Sequence, residues 1–176
     1  MKLKSHRQLR DMLVLAMLGA LMFAGKQVFE AFPNFHPIGM LLMTYTVVYR
    51  SRALIPLYIF VFIEGAFAGF NIWWYPYLYI WLVLWGMTML LPKNMKPAVA
   101  VVVYPVVCAL HGLMYGTLYA PYQALMFHYD FATTLKWIAV GFPWDVIHAV
   151  CNLGMGLLVY PLSRVLKKLD RIGVKE

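Results

Sequence analysis

Charge is scarce in this chain. Asp, Glu, Lys and Arg together make up 12% of its 176 residues, and only seven residues are acidic, against about a quarter charged in ordinary soluble domains. So few ionic groups cannot cover a water-facing globule, which excludes a soluble enzyme and a disordered tail. Cysteine is nearly absent. Cys108 and Cys151 lie inside apolar runs with no CxxC and no Cys/His metal spacing, so a disulfide scaffold is excluded and both thiols read as packing residues. Serine occurs only at Ser5, Ser51 and Ser163, which leaves a Ser/His centre without a nucleophile near the polar residues described below. Gly19 to Lys26 is one residue too long for a phosphate-binding loop, and Gln27 stands where Ser or Thr would hold magnesium. HExxH and paired-aspartate patterns are missing. No catalytic residue and no metal site is therefore expected.

Apolar length is what the chain has instead. Hydrophobic residues make up 63% of it, with a formal net charge of +8. The expected fold is an all-α integral membrane protein with six transmembrane helices in one bundle, both termini cytoplasmic, and a single domain over 1–176. Charges, prolines and turn residues bound apolar segments at about 11–31, 37–49, 53–70, 75–92, 98–120 and 143–166. Met1 to Met12 followed by Leu13 to Gly25 has the look of a signal peptide, but further apolar spans follow, so it is expected to stay as an uncleaved first helix.

A helix crosses a ~30 Å hydrocarbon core with roughly 20 residues. Five segments fit, whereas Pro37 to Tyr49 would reach only about 20 Å. Basic residues decide whether it crosses. With six crossings, Lys2, Lys4, Arg7, Arg10, Arg50, Arg52, Lys93, Lys96, Arg164, Lys167, Lys168, Arg171 and Lys175 all gather inside, which is 13 of 15. With five, most of them move outside, against the positive-inside rule. The net charge is therefore a topology signal and does not point to nucleic acid.

Polar groups inside apolar spans are costly and are functional candidates by default. Lys26 and Glu30 are four apart at the outer end of the first segment and can pair on one face. Glu64 lies toward the outside of the third. His111 and Tyr115 share a face of the fifth segment, and Asp145, His148 and Asn152 form a stripe on the sixth. Asn34, His36 and Asn71 sit in the outer connections. Interhelical hydrogen bonding and packing histidines are the plainer alternatives.

Aromatics crowd the same side: Trp73, Trp74, Tyr75, Tyr77 and Tyr79 in one stretch, and Tyr119, Tyr122, Tyr129, Trp137 and Trp144 around the long outer connection 121–143. An interfacial belt accounts for many of them. Their density also suits a lid over a ring-bearing ligand, in a pocket lined by the first, fifth and sixth segments and open to the outside. Ala16 and Ala20, continued by Ala24, form a small-residue stripe on the first segment; Gly65 with Gly69, and Gly112 with Gly116, are GxxxG steps. Such stripes let helices approach closely.

These features resemble the S components of energy-coupling factor (ECF) vitamin transporters. The resemblance covers nearly the whole chain: six helices with cytoplasmic termini, the AxxxA step, aromatic outer loops, and the runs Lys26-Gln27-Val28-Phe29-Glu30, Pro33 to Met40, Gly69-Phe70-Asn71-Ile72-Trp73-Trp74 and Leu91-Pro92-Lys93-Asn94-Met95. It is most like the group associated with cobalamin. The resemblance implies a non-catalytic subunit of a bacterial cell membrane that captures a vitamin from outside and docks on a T component carrying two cytoplasmic ATPases, which use the ATP and Mg. It implies a docking role for Ala16 and Ala20. A corrinoid is the expected ligand, and folate or another ring-bearing vitamin, or a purely structural assembly subunit, is the alternative. The expected binding residues rest on the polarity and aromatic patterns: Lys26, Glu30, Asn34, His36, Asn71, Trp73, Trp74, Tyr75, Tyr79, His111, Tyr115, Asp145 and His148.

Overall fold

Residues 2–31 and 35–172 are described by a computed structural model. Among them the chain is helical, with no strand: α1 (Lys2–Val28), α2 (Ile38–Tyr49), a 3-10 turn (Arg50–Ala53), α3 (Leu54–Ala68), α4 (Tyr77–Leu90), α5 (Pro97–Leu113), α6 (Tyr115–Phe127), α7 (Phe131–Gly156) and α8 (Val159–Ile172). Four helical runs are long and apolar enough to cross a membrane, namely Gln8–Val28, Ile38–Ala68, Pro97–Phe127 and Phe131–Gly156, and Tyr77–Leu90 is a shorter apolar helix. Large apolar side chains lie on the outside: Met17 is 71% exposed, Val102 60% and Val150 63%. This is the surface composition that lipid rather than water tolerates.

The second run, Ile38–Ala68, folds back on itself. Tyr45 donates its hydroxyl to the Leu18 carbonyl at 3.3 Å, and a methyl at Gly25 would touch Pro37, so α2 runs antiparallel to α1. Arg52 reaches Asp11 at 3.3 Å while Lys26 pairs with Glu64 at the other end, so α3 runs parallel to α1. Reversal occurs at Arg50, whose φ of 55° lies in the left-handed region that non-glycine residues rarely adopt. Its carbonyl accepts from Trp85 Nε1 at 3.3 Å and its guanidinium donates to the Met89 carbonyl at 2.6 Å, which holds the corner in place.

Directions continue to alternate. Arg50 against Met89, and Trp74 Nε1 on the Val61 carbonyl at 2.8 Å, make α4 antiparallel to α3. His111 beside Ile80 makes α5 antiparallel to α4, and Asn152 on the Cys108 carbonyl makes α7 antiparallel to α5. One end of the molecule thus carries Arg50 and Arg52, and the opposite end carries the aromatic residues. The short α2 is the centre: Ile38 to Met40 and Leu42 to Thr46 are buried, and it packs on α1, α4, α5, α7 and α8. At about 18 Å it needs no greater length, because protein rather than lipid surrounds it.

Close approaches come from glycine. A methyl at Gly19 would lie 2.7 Å from Ile59 Cγ2 and 2.9 Å from the Pro56 carbonyl, so α1 and α3 touch there. A methyl at Gly112 would lie 2.8 Å from Asn152 Nδ2 and 3.0 Å from the Ala149 backbone nitrogen, which seats α5 on α7. The Gly112/Gly116 step is therefore used for packing within the chain. Thr44, Thr46 and Thr88 return their hydroxyls to carbonyls four residues back, each at 2.8 Å, so they impose no unpaired polar atom on an apolar interior.

Two predicted boundaries are corrected. The connection 121–143 is helix, not loop: α6 runs to Phe127, the left-handed His128 (φ 53°) ends it, and α7 starts at Asp130, whose carboxylate caps the Thr133 N–H at 2.7 Å. Pro121 and Pro143 both sit inside helices. The last segment, 143–166, is broken at Leu157–Leu158, after which α8 packs across α2 and α5.

Candidate functional site

At the aromatic end, side chains from separate parts of the chain meet. His36, just ahead of α2, contacts His148 of α7 with ring centroids 5.0 Å apart, and contacts Trp81 of α4 at 5.9 Å. Tyr115 of α6 lies 4.9 Å from His148 and 6.2 Å from His111 of α5, and Trp81 lies 5.5 Å from His111. Tyr77 joins through Trp81 at 5.8 Å. Three imidazoles, two phenols and an indole form one continuous group. His111, His148 and Trp81 are 0–1% exposed.

Burial of polar groups normally comes with partners, and here several lack them. Nδ1 of His36, Nδ1 of His111, Nε2 of His148, Nε1 of Trp81 and Oδ2 of Asp145 are buried without a hydrogen bond. His111 uses its other nitrogen, Nε2, 3.1 Å from the Ile80 carbonyl. Asp145, one turn before His148, uses Oδ1 to accept the Gly116 N–H at 2.9 Å. Lys26 pairs with Glu64, and Glu64 keeps Oε2 unpartnered. These are hydrogen-bonding positions left unused around an aromatic frame.

Of the residues predicted for the site, His36, His111, Tyr115, Asp145 and His148 are brought together. Lys26 pairs with Glu64, not with Glu30, which is exposed in the turn after α1. Asn34 lies outside the described residues. Asn71 is exposed, and its carbonyl accepts the Trp74 N–H at 2.9 Å. Trp74 is buried with its indole bound to Val61, so it packs α3, while Trp73 stands edge-on to Tyr77 at 5.5 Å and reaches the rim. Tyr75 and Tyr79 belong to a second aromatic group against α6: Tyr75 stacks on Tyr122 at 5.9 Å, Tyr79 donates to the Leu118 carbonyl at 2.9 Å, and Tyr119 stacks on Trp137 at 6.1 Å.

Besides the fifth and sixth segments, other parts of the chain enter the ring group. α4 and the residues leading into α2 contribute as much, and in this conformation the rings pack against one another. Trp81 and Tyr77 are the members of the group absent from the predicted set, because α4 is apolar on every side and their i, i+4 spacing does not stand out from it. Asn152, grouped in sequence with Asp145 and His148, turns instead to the Cys108 carbonyl at 3.3 Å and serves packing. Ala16 and Ala20 are exposed on α1, on the face beside the Gly19 contact with α3. No group of three or more His, Cys, Asp or Glu side chains able to hold a metal ion occurs among the described residues.

No family model, characterised protein or solved structure matches this chain.

Proposed function

We propose that the chain is the substrate-binding S component of an ECF-type transporter, crossing a bacterial cell membrane six times with both termini in the cytoplasm. Alternating helix directions support six crossings, and the basic residues at the Arg50/Arg52 end support that end as the cytoplasmic one. The observation that carries the reading is the convergence of His36, Trp81, His111, Tyr115 and His148 at the opposite end, with buried polar atoms left unpaired. A corrinoid captured from outside would replace ring-to-ring contacts by ring-to-ligand contacts and would occupy those atoms. The chain itself performs no chemistry in this reading. ATP hydrolysis belongs to the paired ATPases on the T component, which the exposed Ala16/Ala20 face of α1 would meet.

Calorimetric titration of hydroxocobalamin into the purified protein in lipid nanodiscs tests the ligand. Saturable binding with 1:1 stoichiometry is expected. Absence of heat with every corrinoid tried would overturn the assignment, and a different vitamin recovered with the purified protein, identified by mass and absorbance, would replace it.

A further inference from the structure

Three of the unpaired atoms around the ring group are fixed as acceptors. His111 places Nε2 against the Ile80 carbonyl, and a carbonyl only accepts, so the proton sits on Nε2 and the neutral ring leaves Nδ1 as a lone pair. That Nδ1 is buried with no partner. Asp145, 6% exposed, has spent Oδ1 on Gly116 and keeps Oδ2. Glu64, 1% exposed, has spent Oε1 on Lys26 and keeps Oε2. All three are acceptors. Trp81 Nε1 is the fixed donor, and His36 Nδ1 and His148 Nε2 can serve either way.

These acceptors flank the ring group on two sides. Asp145 meets it through Gly116, next to Tyr115, and through His148 one turn on. Glu64 follows Phe60 by one turn of α3, and the Phe60 ring stacks on Tyr77 at 6.4 Å. The nearest lysine, Lys26, is already paired with Glu64. A ligand carboxylate placed here would meet two protein carboxylates with that cation engaged, without the charge-assisted Arg or Lys bonds that commonly hold such a group.

Resting on the reading of this group as a ligand site, we propose that it selects a ring-bearing ligand that presents N–H or O–H donors and carries no carboxylate, with His111 Nδ1, Asp145 Oδ2 and Glu64 Oε2 as the accepting atoms. Tyr77, Trp81 and Tyr115 supply faces for the ring, and the acceptors read its periphery. Primary carboxamides on a macrocycle and an amino group on a cationic heterocycle share this chemistry, and anionic vitamins such as folate do not.

A matched pair of ligands separates charge from shape. The protein in nanodiscs is titrated with a corrinoid whose side chains are carboxamides and with the same macrocycle bearing carboxylates, and thiamine and folate serve as cationic and anionic heterocycles. The carboxamide form is expected to bind at least tenfold more tightly than the carboxylate form. That ratio should narrow in Asp145→Asn, which preserves the Gly116 acceptor, and separately in Glu64→Gln, with folding of each checked by thermal unfolding. Thiamine bound in preference to the corrinoid carboxamide would retain the inference and reassign the source of the donors. Equal or tighter binding of the carboxylate corrinoid or of folate would overturn the inference while leaving a ligand site in place. Binding of none of the four would overturn the ligand-site reading and the inference with it.

Discussion

Lys26, in the last turn of α1, donates to the carboxylate of Glu64 near the end of α3, and the two helices run side by side in the same direction from Asp11 and Arg52 to this pair. Lys26 is 21% exposed at its side chain and Glu64 1%. The partners are therefore unequal, because the ammonium can reach toward water and the carboxylate cannot.

Removing Lys26 should hurt more than removing Glu64. Lys26→Met strands a buried carboxylate, a change that typically costs roughly 3–5 kcal/mol, whereas Glu64→Gln leaves a lysine able to turn outward. The double variant Lys26→Met/Glu64→Gln should recover most of the loss. Thermal unfolding of the four proteins in detergent checks this, and equal destabilisation by the two single changes would count against the asymmetry.

Gly112→Ala should loosen the α5–α7 contact. The added methyl meets Asn152 Nδ2 at 2.8 Å and backbone at 3.0 Å, and overpacking of this kind typically costs about 1–3 kcal/mol. Gly141, where a methyl would meet nothing within 4 Å, is the control. Gly141→Ala should leave the unfolding temperature unchanged or slightly raised.

His111→Phe should weaken ligand binding by tenfold or more with little change in stability. Phenylalanine keeps the ring contacts with Trp81 and Tyr115 but removes both nitrogens, and the lost bond to the Ile80 carbonyl is worth only about 1 kcal/mol net. Calorimetry beside a melting curve separates the two effects.

Asp130 should make the α6–α7 hairpin acid-sensitive. Its carboxyl is held below the ordinary value of 3.8 by hydrogen bonds from Thr133. A depressed folded-state value means the cap's contribution is fully present above the unfolded value and is lost as pH falls through the lower, folded one. Protection of the first turn of α7, measured relative to the intrinsic exchange rate, should fall below about pH 4 in the native protein and stay constant there in Asp130→Asn. An unchanged profile would exclude the capping role.

Ala16→Trp or Ala20→Trp should abolish association with a T component and its ATPases without changing ligand affinity. Both positions are exposed on α1, whereas Gly19 beside them is buried against α3. Co-purification together with a binding titration reads both properties, and persistence of the complex in both variants would refute docking on this face.

Much of this was legible in the chain, for identifiable reasons. Helical spacing placed His111 with Tyr115, and Asp145 with His148, because i, i+3 and i+4 neighbours share a face wherever the helix goes. The 37–49 segment and its reversal at Arg50 followed from the distribution of basic residues. Trp81 was not legible, since a helix apolar on all sides has no periodicity to mark its inner face. Lys26 offered Glu30 as a local partner, and the long-range contact with Glu64 won because Gly19 lets α3 come close. The stretch 121–143 read as loop from its prolines and polar residues, yet α6 and α7 pack on each other through Tyr119 and Trp137 and both remain helical.

His36 and His148 touch although more than a hundred residues separate them in sequence. During synthesis, His36 is inserted long before the helix carrying His148 has left the ribosome. The ring group can therefore close only when α7 is seated, so if it holds the proposed ligand, chains cut short before that helix would be ligand-blind and binding would report completed assembly.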